Sequence, residues 1–434
     1  MEFDISPKQY QALKSLFEEV FVIAGIGFGK SLLGGMFSNE ESGLIGSLGL
    51  ITAPTSDTLN NSTMPQLKHI WAQLGLIEGT HFVIGRMPPK EWGIPNYTKY
   101  NGKILTWRWG SYAIIDGSEN YNKHRGLELD WVFADELRDI RDGAWEMYRG
   151  RMRGKSKKSI GAKYRMLAVT TPPDNPKKVQ KLMNSKVDVI YGTSYDNEKN
   201  LPIGYIEGLK ERYDELTFNR EVLGQLVNAG GMLSYYAFKR ERNVVRMDFR
   251  PDARTIMFWD FNASAKKPMA TGILQEFNND WYVVKEFIFK NSNTDEQCRK
   301  ILDYFQETNF RGTLEITGDS AGHRRESNAT RSDYAIIEYY FSNFANYLLR
   351  TRPTKAVKDR IAATNAMFRS MAGTTRLYVD ERCTKLIEDL EETRWKESGI
   401  ELDDSDPERT HASDALSYFA YNYFPIGFTE PIIS

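Results

Sequence analysis

The feature that most constrains this chain is a glycine-rich turn between an apolar run and a helical pattern, in the stretch FVIAGIGFGKSLLGG at positions 21–35. A buried strand, such a turn and a helix, in this order, form a phosphate-binding loop, where backbone N–H groups and the helix N-terminus surround an anion. Lys30 would reach the β- and γ-phosphates and Ser31 would hold Mg²⁺. The stretch predicts a nucleoside triphosphatase that binds ATP and Mg²⁺ through Ala24, Gly25, Ile26, Gly27, Phe28, Gly29, Lys30 and Ser31.

The loop departs from the strict pattern G-x-x-x-x-G-K-S at its first position, where Ala24 replaces glycine. Alanine is the smallest alternative, so we interpret the departure as mild. Upstream, Ser6 followed by a proline predicts the start of a helix. On this helix, Gln9 and Gln11 are predicted to read the edge of the adenine ring and Tyr10 to stack on it; a plain surface helix is the alternative reading.

A second motif follows in LDWVFADEL at positions 129–137, where an apolar strand ends in Asp135 and Glu136. In a Walker B arrangement the first acid supports Mg²⁺ and the second polarises the attacking water. Two acids at a strand end can also cap the next helix, so the motif gains weight from the phosphate loop before it. Just upstream, Arg125 is a candidate to neutralise charge that develops on the γ-phosphate, and a surface arginine is the alternative.

Another buried strand, at 164–171, ends in Thr170 and Thr171. Hydroxyls at the carboxyl end of a parallel strand lie where the γ-phosphate is expected, which suits residues that couple hydrolysis to movement. Between these strands, residues 149–165 form a basic run with glycine and serine interspersed. It reads either as a solvated loop or as a segment that follows a phosphate backbone.

The length of 434 residues predicts two domains of about 200 residues each. We predict a P-loop ATPase core at 1–195, a helical lid or linker at 196–230, a hinge at 231–250 that begins next to a double glycine, and a second domain at 251–434. The net charge of -1 gives no information about which partners the protein binds. Two cysteines and the lack of a signal peptide or long apolar run predict a reducing cytosol, no secretion and no membrane.

The second half begins with three strand patterns in succession, at 255–260, 270–277 and 281–289, and continues with alternating helices and strands. This order predicts an RNase H-like fold. There the ends of the first and fourth strands are neighbours and the last helix crosses them, which would bring together Asp260, Asp319 and Asp414. Because clustered carboxylates are costly without cations, the three predict a site for two divalent ions about 4 Å apart that cleaves a phosphodiester.

Two further residues belong to this hypothesis. His411 lies one helical turn before Asp414, where it would assist a ligand or shuttle a proton. Glu286, on the third strand, is a candidate fourth acid unless it faces solvent. Each acid alone would more often be a cap or a turn residue, so the site depends on the strand order. The fold class is therefore α/β: an N-terminal P-loop ATPase domain with a mostly parallel sheet and a C-terminal RNase H-like nuclease domain.

The chain resembles the large subunit of the tailed-phage terminase over nearly its whole length. The resemblance rests on the motifs AGIGFGKS, VFADE, TTP and HASDA, in this order, and on a helical lid between the last two. The resemblance implies a motor that packages double-stranded viral DNA and cuts concatemers. Its partners would be the capsid portal, a small subunit and further copies in a ring, and its location the host cytoplasm at the procapsid portal. It implies Mg-ATP at Lys30 and Ser31, metal support at Asp135 and catalysis by Glu136.

The resemblance also assigns coupling to Thr170 and Thr171, and nuclease chemistry with Mg²⁺ or Mn²⁺ to Asp260, Asp319 and Asp414. Many family members carry an arginine in the phosphate loop where this chain has Ile26. That leaves the arginine function to Arg125 or to another residue, in cis or from a neighbouring subunit. Two alternatives stay open: a helicase-like or repair ATPase whose second domain binds DNA without cutting, and a nucleotide-gated assembly factor without nuclease activity.

Overall fold

The structure, a computed structural model, describes residues 4–95, 102–174, 176–261, 267–324, 331–344, 347–353, 356–407 and 409–426. The chain forms two compact units, one made of Met1–Ile206 and Asn219–Val227 and the other of Glu207–Phe218 and Asn228–Ser434. The boundaries predicted from the sequence for the four segments stay predictions. None of the helices in the described part of the chain combines the length and apolar character needed to cross a bilayer.

An eight-stranded sheet forms the centre of the first unit. Its strands are β1 (Glu19–Ala24), β2 (Leu48–Thr52), β3 (Phe82–Ile84), β4 (Ile104–Trp107), β5 (Tyr112–Ile115), β6 (Trp131–Ala134), β7 (Arg165–Thr170) and β8 (Val187–Gly192). They lie in the order β3-β4-β5-β2-β6-β7-β1-β8. Only the β3–β4 and β4–β5 pairs of this sheet are antiparallel. The predicted mostly parallel sheet is confirmed, and β7 lies between the phosphate-loop strand β1 and the acid-bearing strand β6.

The central strands of this sheet are buried on both faces, which explains their continuous apolar runs. In β1, Val20 and Val22 pack into one core, while Phe21 and Ile23 pack into another. The helices from this part of the chain are α1 (Pro7–Lys14), α2 (Lys30–Ser42), α3 (Ser56–Thr58), α4 (Met64–Gln73), α5 (Ala144–Arg149), α6 (Lys155–Ser159), α7 (Pro176–Gln180), α8 (Tyr205–Arg212) and α9 (Glu215–Glu221). Helix α1 starts at the predicted cap, where Ser6 and Gln9 form a reciprocal capping box.

A seven-stranded sheet forms the centre of the second unit. Its strands are β9 (Val244–Val245), β10 (Thr255–Asp260), β11 (Met269–Phe277), β12 (Asp280–Phe289), β13 (Leu314–Gly318), β14 (Leu348–Leu349) and β15 (Leu377–Asp380). They lie in the order β14-β13-β10-β11-β12-β15-β9. Strands β10, β11 and β12 form an antiparallel meander, and β13 joins the other side of β10 in parallel. This is the strand order predicted for an RNase H-like fold.

Helices flank this sheet: α10 (Arg240–Asn243), α11 (Thr294–Glu307), α12 (Asp333–Phe341), α13 (Val357–Phe368), α14 (Thr384–Glu392) and α15 (His411–Tyr423). The turn between β11 and β12 is tight, because the two residues between the strands, Asn278 and Asn279, have φ values of 54° and 66°. Such left-handed pairs match the twist of a two-residue hairpin. Helix α15 packs against α13 and the strands β10, β11 and β13. Its first residue, His411, contacts Asp260 at the end of β10.

Candidate active sites

The turn after β1 has the backbone geometry of an anion-binding loop. Gly27 and Gly29 have φ values of 73° and 92°, which favour glycine, and a Cβ on Gly25 would lie 2.4 Å from the carbonyl oxygen of Val222. Helix α2 begins directly after Gly29. Among the described residues, no acceptor contacts the first-turn amide N–H groups of Lys30 and Ser31. The loop therefore offers backbone donors and a 13-residue helix's N-terminus to an anion.

The carbonyl oxygens of the loop are held from outside. Three side chains donate hydrogen bonds to them: Gln9 Nε2 to Phe28 O at 2.6 Å, Ser194 Oγ to Ile26 O at 2.6 Å, and Asn197 Nδ2 to Gly27 O at 2.7 Å. These bonds satisfy three carbonyl groups of the loop with donors from outside it. Ser194 and Asn197 come about 170 residues after the loop and belong to no motif, so sequence reasoning missed them.

Gln9 is completely buried, and both ends of its amide are engaged. Its Oε1 accepts a hydrogen bond from the Ser6 N–H at 2.6 Å, while its Nε2 donates to the loop. Tyr10 is 57% exposed and Gln11 is exposed on the same helix. The predicted contacts of these three side chains with adenine stay predictions, and the observed role of Gln9 is to fix the loop to α1.

Lys30 folds back onto the loop from the start of α2. Its Nζ donates hydrogen bonds to Ala24 O at 3.0 Å and to Gly25 O at 2.9 Å. Burial lowers the pKa of Lys30 to about 8, against the opposing effect of the Glu136, Glu221 and Asp135 carboxylates. The neighbouring Ser31 Oγ donates to the side chain of Gln66. In the described part of the chain, this partly buried ammonium donates its hydrogen bonds to neutral carbonyl groups, which it is well suited to exchange for phosphate oxygens.

The predicted acid pair follows β6, two strands from the phosphate loop. Asp135 accepts hydrogen bonds from Thr63 Oγ1 at 2.7 Å and from the Glu136 N–H at 3.1 Å, and burial raises its pKa. Glu136 has a left-handed backbone, with φ 49° and ψ 56°, and burial raises its pKa too. Its Oε2 is buried and has no hydrogen-bond partner among the described residues. A strained backbone and an unsatisfied carboxylate oxygen are typical of functional positions.

Arg138 connects this pair to the predicted coupling threonines. Its backbone N–H donates to Thr170 Oγ1 at 3.2 Å, and its Nη1 donates to Pro172 O at 3.3 Å. Its Nε lies 3.6 Å from Glu136 Oε2. Both Thr170 and Thr171 are buried at the end of β7, and Thr170 Oγ1 donates to the carbonyl group of Thr171 at 2.8 Å. Sequence reasoning passed over Arg138, although it stands two residues after Glu136.

Arg125, the predicted arginine, is exposed on the 3₁₀ turn at Ser118–Gly126. Its carbonyl oxygen accepts a hydrogen bond from Arg151 Nη1 at 2.6 Å. The arginine charge that acts on the pKa of Lys30 is instead that of Arg138. A role for Arg125 at a phosphate stays a prediction.

Much of the basic run at 149–165 is neutralised within the first unit. Arg149 pairs with Glu19 at 2.8 Å, and the buried Lys157 pairs with the buried Glu41 at 2.5 Å. Arg165 approaches the same Glu41 at 3.3 Å. These three residues hold the sheet and its helices together. Only the remaining basic residues of the run have exposed charge to offer a nucleic acid.

In the second unit, two of the predicted acids end neighbouring strands. Asp260 is the last residue of β10, and Asp319 directly follows β13. The two strands pair in parallel up to Trp259 opposite Gly318, so the acids occupy the next position on each. The Asp319 N–H donates to Trp259 O at 3.3 Å, and Asp319 Oδ1 accepts from the Ala321 N–H at 3.0 Å. Pairing in register thus brings the two residues to the same edge of the sheet.

Helix α15 adds His411 and Asp414 to this edge. His411 Nδ1 lies 3.3 Å from Asp260 Oδ2, and its Nε2 lies 3.0 Å from Pro407 O. Burial opposes the charged form of His411, but the hydrogen bond to Asp260, the charge of that carboxylate, the bond to Pro407 and the charge of Asp414 together outweigh burial and raise the pKa of His411. Burial also raises the pKa of Asp414, against the effect of Arg360, whose Nη1 lies 3.6 Å from Asp414 Oδ1.

The three acids lie in one neighbourhood, but their arrangement is not that of a complete metal site. Burial raises the pKa of Tyr418 and the carboxylates of all three acids act in the same direction, so they share one neighbourhood. Asp414 Oδ1 is buried and lacks a hydrogen-bond partner among the described residues, which suits a cation ligand. Within the described ranges, however, no group of three or more His, Cys, Asp or Glu side chains is arranged to hold a metal ion. The three acids as metal ligands therefore stay a prediction.

Glu286 has a different role from the one considered. Its carboxylate accepts hydrogen bonds from the N–H groups of Lys385 at 3.1 Å and Leu386 at 2.9 Å. These are first-turn donors of α14, so Glu286 caps that helix from β12. An acid that satisfies a helix N-terminus in this way is explained without a metal.

The two sheets define a unit with a phosphate-binding loop and a mostly parallel sheet, followed by a unit with the strand order of an RNase H-like fold. No protein-family model matches the sequence, and no curated protein matches it. Solved structures of the large terminase from a thermophilic bacteriophage do match: one crystal form is 16% identical, with a TM-score of 0.61, over 96% of this chain and 99% of that chain. The ADP complex of that terminase is 18% identical and its ATP-γ-S complex 17%, each with a TM-score of 0.59 and the same coverage. The chain therefore has the fold of a bacteriophage large terminase along almost its whole length.

Proposed function

We propose that this protein is a DNA-packaging motor, which uses ATP to translocate double-stranded viral DNA into a procapsid and cuts concatemeric DNA with a metal-dependent endonuclease. The observation that carries the proposal is that one chain combines two sites. The first unit has the phosphate loop together with Asp135 and Glu136, and the second unit has Asp260, Asp319 and Asp414 at one edge of its sheet. The fold likeness to the large terminase of the thermophilic bacteriophage supports it, since structures of that protein contain ADP or ATP-γ-S.

In the first unit, the loop amides and Lys30 bind the phosphates of ATP, while Ser31 and Asp135 hold its Mg²⁺. Glu136 polarises the attacking water, and its carboxylate oxygen that lacks a hydrogen-bond donor is a suitable acceptor. The raised pKa of Glu136, caused by burial, strengthens it as a base near neutral pH. Thr170 and Thr171, at the end of β7, couple ATP hydrolysis to movement. Strand β7 lies in the sheet between β1, which leads into the phosphate loop, and β6, which leads into Asp135 and Glu136.

In the second unit, the three acids hold Mg²⁺ or Mn²⁺, which when bound would activate water and stabilise the leaving oxygen of a phosphodiester. Asp260 and Asp414 approach from a strand and a helix, and Asp319 from the adjacent strand. His411 orients Asp260 through its 3.3 Å contact and provides a site for a proton. The motor's partners are the portal protein, a small terminase subunit and further copies of itself in a ring, where Arg125 can serve a neighbouring subunit. It acts in the host cytoplasm at the procapsid portal.

The ATPase half is tested by Glu136→Gln, which keeps the shape of the side chain but removes its charge. We expect ATP turnover to be abolished while ATP binding persists. Glu146→Gln, in the exposed part of α5, is the matched control and should turn over ATP like the wild type. Turnover retained by the Glu136 variant would rule out this assignment.

The nuclease half is tested by plasmid cleavage with Mg²⁺ or Mn²⁺. Asp260→Ala and Asp319→Ala should each stop cleavage and leave ATP turnover intact. Asp403→Ala, in an exposed acidic loop, is the control and should cut normally. Persistent cleavage by the two variants would mean that the wrong acids have been chosen.

A second candidate is an ATPase whose second domain binds DNA without cutting it. The observation in its favour is that no metal-holding group of three side chains occurs among the described residues. Strand separation on a forked duplex, together with absence of nicking at every metal concentration, would support this candidate over the nuclease.

A further inference from the structure

We propose that Arg138 is the arginine that contacts the γ-phosphate within its own chain and signals its presence to the end of β7. The inference rests on the proposed ATPase function and deepens it by naming a residue that serves both the nucleotide and the coupling segment. Three observations carry it: the contact with Glu136, the length of the contacts that hold the guanidinium, and the bonds to the carboxyl end of β7.

The first observation concerns where the guanidinium lies. Its Nε is 3.6 Å from Glu136 Oε2. In the proposed ATPase, Glu136 faces the water that attacks the γ-phosphate. A cation beside this acid therefore lies on the γ-phosphate side of the site.

The second observation concerns how loosely the guanidinium is held. Its contacts with Asp139 Oδ2 and Pro172 O are 3.3 Å long, and that with Glu136 is 3.6 Å. Charge-assisted bonds of arginine to carboxylate or phosphate are normally about 2.7–2.9 Å long. The side chain is also 28% exposed. The guanidinium thus lies beside Glu136 with long contacts, and it can form shorter, stronger bonds when a phosphate binds.

The third observation is the connection to β7. The Arg138 N–H is bonded to Thr170 Oγ1 at 3.2 Å, and Nη1 to Pro172 O at 3.3 Å. Pro172 lies between the end of β7 and α7. When Arg138 moves to the γ-phosphate, it releases Pro172 and Glu136 together, and hydrolysis allows both contacts to form again. The contacts of the segment that follows β7 therefore depend on whether the γ-phosphate is present.

The test measures binding of ADP and of ATP-γ-S to the full chain by calorimetry, along with ATP turnover. Arg138→Gln should bind ADP within about twofold of the wild type, lose about tenfold in affinity for ATP-γ-S, and lose about 10³-fold in turnover. Arg138→Lys keeps the charge without the fork and should regain only part of the ATP-γ-S affinity. Arg141→Gln, an exposed arginine in the same loop, is the control and should match the wild type.

An unchanged ratio of ATP-γ-S to ADP affinity in Arg138→Gln would overturn the proposal. If that variant binds neither nucleotide because it misfolds, Arg138→Lys decides, and an unchanged ratio in it would overturn the proposal equally. Failure of the proposed ATPase function looks different, since the wild type itself would then bind no nucleotide. An affinity ratio that falls in the Arg138 variants but not in Arg141→Gln supports the assignment.

Discussion

The buried amide of Gln9 provides a direct test of what α1 does for the nucleotide site. We predict that Gln9→Ala weakens the binding of ATP-γ-S and GTP-γ-S by the same factor, because the side chain braces the phosphate loop. If the amide reads the adenine edge instead, only ATP-γ-S should suffer.

The size of the effect follows from the two hydrogen bonds of this amide, both 2.6 Å long. The substitution leaves the Ser6 N–H and the Phe28 carbonyl oxygen without their partners, and both residues are buried. An unsatisfied buried group costs about 1–3 kcal/mol. If about 2 kcal/mol of this falls on the ordered loop, both nucleotides should bind about 30-fold more weakly.

Dissociation constants for the two nucleotides, measured by calorimetry, give the answer as a ratio. Lys14→Ala, exposed at the end of the same helix, is the control and should change neither constant. The reasoning fails if Gln9→Ala lowers the preference for ATP-γ-S over GTP-γ-S, or if both affinities stay at the wild-type value.

Three further predictions concern other contacts. Hydrogen bonds to Asp116 outweigh the opposing effect of burial and lower its pKa from 3.8 to about 2. The ionised form therefore adds about 2 kcal/mol to the free energy of unfolding, and this contribution is lost as pH falls from about 4 to 2. In urea titrations followed by fluorescence, Asp116→Asn should unfold more easily than the wild type at pH 7 and approach it near pH 2. Gly29→Ala should abolish nucleotide binding in calorimetry, because its φ is 92° and a Cβ would lie 2.4 Å from the Gln9 amide. Glu286→Gln should cost about 1 kcal/mol in thermal unfolding as a weakened cap, yet leave metal-dependent plasmid cutting unchanged, whereas lost cutting would restore it as a metal ligand.

Most of the fold was predictable because buried parallel strands have continuous apolar runs and the hairpin has its own turn signal. In the segment predicted as a helical lid or linker, the structure has two separate helices, α8 and α9. Asp214 Oδ1 accepts from the Thr217 N–H at 3.2 Å and so starts the second helix, a local signal that apolar spacing hides. Strand β8 was missed because Asp188 and Tyr191 interrupt its apolar pattern at the edge of the sheet.

In the candidate sites too, residues in short motifs could be predicted from the sequence, whereas the residues that support them from distant parts of the chain could not. Lys30, Asp135 and Glu136 stand in motifs whose spacing is local. Their supports come from elsewhere in the chain, as with Thr63, which donates to Asp135 Oδ2 at 2.7 Å from 72 residues away. Such contacts depend on which strands are neighbours, and periodicity alone does not give the partner of a single side chain.

Arg360 shows what this distant information adds in the second unit. It is 4% exposed, its guanidinium lies 4.0 Å from the ring centre of Tyr418, and its Nη1 donates to Ser417 Oγ at 2.6 Å. These contacts hold the cation 3.6 Å from Asp414 Oδ1, too far for a strong hydrogen bond. The carboxylate is thus partly neutralised but keeps an unsatisfied oxygen. In the first unit the described residues likewise offer Lys30 neutral carbonyl groups as hydrogen-bond acceptors, so each site holds a partly buried charge that a ligand of the opposite sign would stabilise.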